Sequence, residues 1–440
     1  MEDKKNISGV LGIVKNATLW LFLAAVLAII LSNSTWSGWY EKILQSPIIL
    51  QIGQFNFFTH HGTPMSLLTF VNDFLMAIFF LTIGLEIKQQ ILTGELHSFR
   101  KALLPIVGAL GGMIVPVLVF YLFCHDYPRS YGAAIPMATD IAFAVGVLAL
   151  LSKKVPPILK IFLITLAVVD DIGGILVMIL FYSSHVSWMP LIFSVFLLIG
   201  MFFAGAKGVH YKRFYYIFGF VVWLLFLESG VHAAISGVLI ALVVPAKPKW
   251  EWENYLQKAK RCLADFVNSV QGEPKIGVLS ENQTQALAQM RLAEERVVSP
   301  LQSMEHQLQG FVSYVTLPLF AFVNAGIRFE NINADSVMGV PLAIMAGLVL
   351  GKSLGIFSFV WFFIKCKLIS LPKGMNYSNL FGVAILGGIG FTVSLFIANL
   401  SYGSLQDGGI ELLNQAKIGV FAGSLLSGLL GYFWLKRVCK

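Results

Sequence analysis

Apolar residues fill long stretches of this chain, and the stretches have the length of membrane-spanning helices. Crossing a bilayer as an α-helix takes about 20 predominantly apolar residues. Runs that approach this length cover residues 18–33, 67–87, 102–123, 132–151, 156–182, 188–206, 214–227, 230–245, 311–327, 338–364, 379–400 and 416–435. The pattern predicts an all-α polytopic membrane protein, with twelve transmembrane helices in a single domain over residues 1–440.

Composition and charge support this prediction and orient the chain. Hydrophobic residues make up 57% of the sequence and charged residues 12%, against about a quarter charged in soluble domains. With a cytoplasmic amino terminus, 26 of the 31 Lys and Arg residues fall on the cytoplasmic side. Because cytoplasmic loops of membrane proteins are enriched in Lys and Arg, we expect a multi-pass bacterial inner-membrane protein with both termini in the cytoplasm. The net charge of +8 then reflects orientation, and nucleic acid is not an expected partner.

Two connecting segments have patterns of their own. Residues 47–58 carry apolar, β-branched and aromatic residues on both sides of Gly53-Gln54, which predicts a small periplasmic β-hairpin. An isolated hairpin is only marginally stable, so we expect it to pair with another structure. Residues 246–310 are polar and form a predicted cytoplasmic loop, with a helix-like stretch from about Glu281 to Gln309.

Two of the predicted spans contain residues that interrupt a helix. The fourth has Pro136 followed closely by Asp140, and the eleventh has Gly387, Gly388 and Gly390. Irregular backbone at membrane depth is tolerated only where protein or a wet cavity surrounds it, and paired broken spans indicate a transport site. Spans 3–5 and 10–12 would be the two matching structural repeats. Because each contains three spans, the two repeats have opposite orientations in the membrane, which makes them inverted-topology repeats.

Ionisable residues inside the runs supply the candidate chemistry. Asp140, Asp170, Asp171 and Lys352 each cost roughly 2.5–3.5 kcal/mol at a helix centre on insertion scales, so their presence predicts a function. Asp170 and Asp171 point about 100° apart on a helix yet stay close, so both are not easily ionised in a low dielectric. A hard cation can therefore replace protons on this pair.

Neighbouring polar groups extend this predicted site. Thr139 and Asp140 add a hydroxyl and a third carboxylate to the possible ligands, and Asp140 could neutralise the amino ends of two half-helices. Lys352 could compensate helix carbonyl ends or pair with Asp170. The segment 346–353 also fits a permissive phosphate-loop pattern, but it lies in an apolar run with no strand before it. A membrane-embedded hydrolase and a symporter or channel for another small ion stay open as alternatives.

Several motifs together closely resemble the NhaA family of bacterial sodium/proton antiporters. They are Ile83–Glu86, Pro136–Ala144, Val169–Asp171, Gly230–Ala233, Phe322–Gly326, Gly351–Gly355 and Gly388–Thr392. The resemblance runs from about residue 18 to 435. It implies an electrogenic antiporter that extrudes Na⁺, and also Li⁺, in exchange for protons, needs no cofactor and forms a homodimer in the lipid bilayer through the 47–58 hairpin.

The resemblance also implies roles for individual residues. Asp171 and Asp170 would form the cation and proton site, with Thr139 and Asp140 in support and Lys352 compensating the carboxylates. Residues implied in pH activation are Glu86, His232, Glu305 and His306. This chain departs from the family pattern at Gln89, Gln90 and Gln309, where titratable groups are expected. These substitutions put the pH profile in doubt, though not the exchange chemistry.

Overall fold

Helices dominate the computed structural model, which describes residues 2–52, 55–60, 63–151, 155–182, 186–269, 279–329, 338–403, 405 and 408–439. The first half contains α1 (Glu2–Ser32), α2 (Ser37–Gln45), α3 (Leu67–Thr93), α4 (Phe99–Phe123), a 3₁₀-helix (Arg129–Met137), α5 (Ile141–Leu150), α6 (Pro157–Phe181), α7 (Trp188–Ala206), α8 (Lys212–Ser229) and α9 (Ile235–Val243). The second half contains α10 (Trp252–Asn268), α11 (Glu281–Val297), α12 (300–324), α13 (Val340–Lys365), α14 (Tyr377–Leu386), α15 (Phe391–Tyr402) and α16 (Gly409–Val438).

Four short strands lie between α2 and α3. Strand β1 (Gln51–Ile52) pairs antiparallel with β2 (Phe55–Asn56), so that Ile52 faces Phe55. A second antiparallel pair joins β3 (Thr59–His60) to β4 (Thr63–Pro64). The first pair falls within the predicted hairpin at 47–58, although its turn at 53–54 lies outside the described residues. The side of the membrane that it faces stays a prediction.

The number of membrane spans is supported only in part. Within the described residues, six helices are long and apolar enough to cross a bilayer, and bent helix pairs raise the possible number to nine. Helix α9 has nine residues, which rise only about 14 Å at 1.5 Å each. This is about half of a bilayer core, so α9 alone is too short to cross it. The predicted count of twelve therefore stays a prediction.

Both predicted helix interruptions are present. The 3₁₀-helix ends at Met137, the backbone is extended at Ala138 and Asp140, and α5 begins at Ile141 with a bend of 44° between the two helices. Helix α14 ends at Leu386 and α15 begins at Phe391, with a bend of 48°. Proline and clustered glycines explain the breaks, since both residue types destabilise a helix interior.

Helices α13 and α4 pack closely against each other near the middle of both helices. A Cβ atom at Gly111 would overlap the carbonyl oxygen of Gly355, and one at Gly355 would overlap that of Gly111. Glycine is therefore required on both helices for this approach. A π-helical turn at Gly347–Gly351 immediately precedes Lys352 in α13, and such turns are often found at functional sites.

The segment after α9 is more helical than the sequence analysis expected. Helix α10 was not predicted, and the helix-like stretch 281–309 is two helices that meet at Val298 and Ser299. Ser299 forms a capping box with Gln302. Pro300 follows at the first helical position, where its missing N–H costs nothing. The predicted helix-like stretch is therefore helical except at Val298 and Ser299, where the second helix starts.

Candidate cation site

The two chain interruptions are hydrogen-bonded to each other. The Asp140 N–H donates a hydrogen bond to the carbonyl oxygen of Ile389 at 2.6 Å. The Thr139 hydroxyl lies 2.8 Å from the carbonyl oxygen of Gly387. These bonds satisfy backbone groups that the broken helices leave free, which irregular backbone needs at this depth.

The Asp140 carboxylate lies between the amino ends of α5 and α15. Its Oδ1 accepts a hydrogen bond from the Phe143 N–H at 3.1 Å and caps α5. Its Oδ2 accepts from the N–H and the hydroxyl of Thr392, at 2.9 and 2.5 Å. Because helix amino ends carry partial positive charge, a buried carboxylate is stabilised here. Asp140 therefore joins the two breaks, and Thr392 is a partner that the sequence analysis did not assign.

Asp170 is held by a buried cation. Lys352 Nζ donates to Asp170 Oδ2 at 2.5 Å and to the Thr139 hydroxyl at 2.8 Å. Both charged side chains are fully buried. The Thr139 hydroxyl also lies 2.8 Å from Asp170 Oδ2, and its single hydrogen serves either this oxygen or Gly387. Among the described residues, Asp170 Oδ1 is buried without a hydrogen-bond partner.

Asp171 has a different environment from its neighbour. It is buried and lines a cavity of about 220 Å³, which Asp170 does not line. Within the described part of the chain, no hydrogen bond or ion pair reaches its carboxylate. Lys352 therefore neutralises Asp170, whereas the oxygens of the adjacent Asp171 are available to bind a ligand.

The cavity offers further oxygen atoms of the kind that hard cations prefer. Its polar lining residues are Thr18, Thr82, Glu86, Thr139, Asp140, Asp171, Gln309, Ser313 and Thr392. Three of these are carboxylates, and most of the others are hydroxyls. Oxygen ligands of this type suit a small hard cation such as Na⁺. Apolar residues of α1, α3, α5, α6, α12 and α15 complete the wall.

Only one of the four residues implied in pH activation reaches this cavity. Glu86 lines it, whereas His232, Glu305 and His306 are not among its lining residues. His232 lies with its Nε2 3.5 Å from Asp73 Oδ1 and packs edge-on against Phe396. Glu305 is half-buried and His306 is exposed, both on α12.

Asp73 is a residue that the sequence analysis missed. It lies within the predicted span 67–87, so the same insertion cost that singled out Asp140 applies to it. A chain of amides lies close by: Asn324 Nδ2 donates to Asn72 Oδ1 at 2.7 Å, and Asn399 Nδ2 donates to Asn324 Oδ1 at 2.8 Å. Uncharged residues of this kind give no comparable signal in a single sequence.

Broken helices that cross at buried carboxylates beside a buried lysine are typical of membrane proteins that transport small ions. The family model of the Na⁺/H⁺ antiporter 1 family matches residues 10–435. The chain belongs to this family.

Individual relatives are similar over nearly their whole length. A Na(+)/H(+) antiporter NhaA of Parabacteroides distasonis is 53% identical over 425 residues, covering 96% of this chain and 94% of the relative. Proteins of the same name from Bacteroides thetaiotaomicron and Porphyromonas gingivalis are 50% and 48% identical, covering 96% and 98% of this chain and 95% of each relative.

Proposed function

We propose that this protein is an electrogenic antiporter that extrudes cytoplasmic Na⁺, and also Li⁺, in exchange for external protons, and so serves sodium and pH homeostasis. The observation that carries the proposal is the unpaired Asp171 carboxylate in the cavity beside the neutralised Asp170. Support comes from relatives named Na(+)/H(+) antiporter at 48–53% identity.

Exchange follows from the charge balance of the site. Lys352 neutralises Asp170, so Asp171 contributes a negative charge that the low dielectric makes costly. Either a proton or a Na⁺ ion removes this cost, and binding of one excludes the other. The ligands for Na⁺ are Asp171 and Asp170 oxygens, with Thr139 and Asp140 in support. A second proton is released from the Asp170–Lys352 pair, so two protons exchange for one Na⁺.

The proposed topology determines the side of the membrane to which the cavity opens. With twelve spans, cytoplasmic termini and inner-membrane insertion, Thr18, Glu86, Gln309 and Ser313 lie towards the cytoplasm, and the cavity opens to that side. Phe80 and Phe320 pack against Phe396, with ring centroids 5.5 and 6.3 Å from that of Phe396. Alternating access moves the inverted repeats formed by spans 3–5 and 10–12, so that the site faces one side at a time. Glu86, His232, Glu305 and His306 adjust the rate to pH.

Electrogenic exchange predicts a response to membrane potential. Proteoliposomes with purified protein, loaded with Na⁺, should lose Na⁺ further when a K⁺ gradient and valinomycin make their interior negative. One net charge per cycle is worth about 2.3 kcal/mol per 100 mV, which corresponds to roughly a 50-fold change in the Na⁺ gradient at equilibrium. The final Na⁺ gradient is the measurement. Equal gradients with and without the potential would show electroneutral exchange.

The 47–58 hairpin is the proposed dimer contact. Its first strand pair is only two residues long on each side, and such a short hairpin gains stability by pairing with a second copy. Deleting residues 47–58 should convert dimers into monomers, measured by cross-linking in membranes. Deletion of residues 270–278, in the predicted cytoplasmic loop, is the control. Dimers that persist after the hairpin deletion would contradict this contact.

A further inference from the structure

A second polar cavity lies between the connection from α7 to α8 and residues 246–299, the segment between α9 and α12 that we call the helical insertion. Its volume is about 240 Å³. Its polar lining residues are His210, Tyr211, Lys212, Lys249, Arg296 and Ser303. They come from the connection before α8, the segment before α10, the end of α11 and the start of α12. We call this cavity the basic pocket.

Every permanently charged residue that the structure describes in the lining of the basic pocket is a cation. Lys212, Lys249 and Arg296 contribute positive charges, and none of the described lining residues is acidic. Among the side chains that the structure describes, no carboxylate lies within 4.0 Å of these cations. Gathering like charges costs free energy, so an arrangement of this kind is favourable when an anion binds among them.

Specific contacts hold the cations around the pocket. The N–H groups of Lys249 and Trp250 donate to the carbonyl oxygen of Arg296 at 3.1 and 3.0 Å. The Arg296 guanidinium lies over the Trp250 ring, 4.8 Å from its centroid, and the Lys249 ammonium lies 5.7 Å from the Tyr211 ring centroid. These contacts hold Lys249 and Arg296 next to each other, each beside an aromatic ring.

Lys212 and α8 complete the pocket from the side of the predicted membrane spans. Lys212 Nζ donates to the Ser303 hydroxyl at 2.9 Å. Helix α8 begins at Lys212, and its N-cap residue, Tyr211, makes no side-chain capping bond. The Phe214 N–H donates to the Tyr211 carbonyl oxygen at 3.1 Å, so the donors that the first turn of this 18-residue helix adds beside the lysine are the N–H groups of Lys212 and Arg213.

We propose that the basic pocket binds the phosphate group of a small phosphate ester. Arginine presents a planar fork of donors that matches phosphate oxygens, and lysines and a free helix amino end supply further charge-assisted bonds. The ester comes either from a phospholipid headgroup of the facing leaflet or from a soluble cytoplasmic metabolite. In both cases the ligand joins Lys249 and Arg296 of the helical insertion to Lys212 of α8 and Ser303 of α12. It thereby fixes the helical insertion to these two helices.

The test uses the full chain in detergent with two double variants. Lys249→Gln with Arg296→Gln removes two pocket charges, whereas Lys260→Gln with Arg261→Gln removes two exposed charges of α10 that do not line the pocket. Calorimetric titration with glycerol 3-phosphate measures the soluble source. Native mass spectrometry measures retention of phosphatidylglycerol against phosphatidylcholine for the lipid source.

We expect the wild-type chain to bind at least one phosphate probe and the pocket variant to bind it roughly 30-fold or more weakly, since two charge-assisted bonds are lost. The control variant should stay within about twofold of the wild type. Binding of glycerol 3-phosphate identifies a soluble ligand, and retention of phosphatidylglycerol alone identifies a headgroup. Failure of both probes, or equal weakening in the two variants, would overturn the proposal.

Discussion

Asp171→Asn should abolish sodium-driven proton exchange, with a loss of at least about 100-fold at every pH between 6 and 9. The asparagine keeps the volume of the side chain but has neither the charge that Na⁺ neutralises nor the proton that Na⁺ replaces at this position, so Na⁺ binding no longer drives proton release. The measurement is dequenching of a pH-sensitive dye in everted membrane vesicles upon addition of Na⁺ or Li⁺.

A matched control comes from the same cavity. Glu86→Gln removes the same charge from the same lining but leaves the Asp170, Asp171 and Lys352 set intact. This variant should still exchange Na⁺ for protons, with an altered dependence of the rate on pH. If Asp171→Asn still exchanges while Glu86→Gln does not, the essential carboxylate would be Glu86 and the assignment of Asp171 would be wrong.

Lys352→Met should destabilise the folded protein strongly. Methionine resembles lysine in length and flexibility, but the substitution leaves the fully buried Asp170 without its cation. Removing one partner of a buried ion pair costs about 3–5 kcal/mol of unfolding free energy, because an uncompensated charge remains. Thermal unfolding in detergent is monitored by tryptophan fluorescence, and we expect a large drop in the midpoint temperature.

The double variant separates charge from packing. Asp170→Asn combined with Lys352→Met removes both charges, so most of the lost stability should return although exchange does not. Asp170→Asn alone should also be destabilising, since it leaves the lysine unpaired. A double variant that is as unstable as the sum of the two single variants would contradict the ion pair as the source of the effect.

The sequence allowed prediction of the parts of the fold that depend on hydrophobic length and helix-breaking residues. Pro136 and the glycines at 387–390 indicated the two interruptions, because those residues disfavour helix wherever they occur. Helix α10 and the division at Ser299 were missed, since amphipathic helices lack the continuous apolar signal of a membrane span. The predicted count of twelve spans exceeds by three the largest number that helix length and apolar content support.

For the candidate site, insertion cost singled out the charged residues but gave no geometry. It indicated Asp140, Asp170, Asp171 and Lys352, and the same reasoning carried further along the second span would have included Asp73. That Lys352 pairs with Asp170 and leaves Asp171 free follows only from how α13 packs on α4 beside α6. Thr392 has no charge, and its bond to Asp140 depends on two chain breaks that lie 252 residues apart.

The most direct measurement is made with purified protein in liposomes that contain no other transporter. Vesicles loaded with Na⁺ and a pH-sensitive dye are diluted into Na⁺-free buffer, and the internal pH is followed. Exchange at the carboxylates predicts that the interior becomes more acidic as Na⁺ leaves and protons enter, and that Asp171→Asn vesicles show no change. An interior that becomes more alkaline would instead indicate symport, and an unchanged internal pH during Na⁺ efflux would indicate a channel; either result would contradict the account.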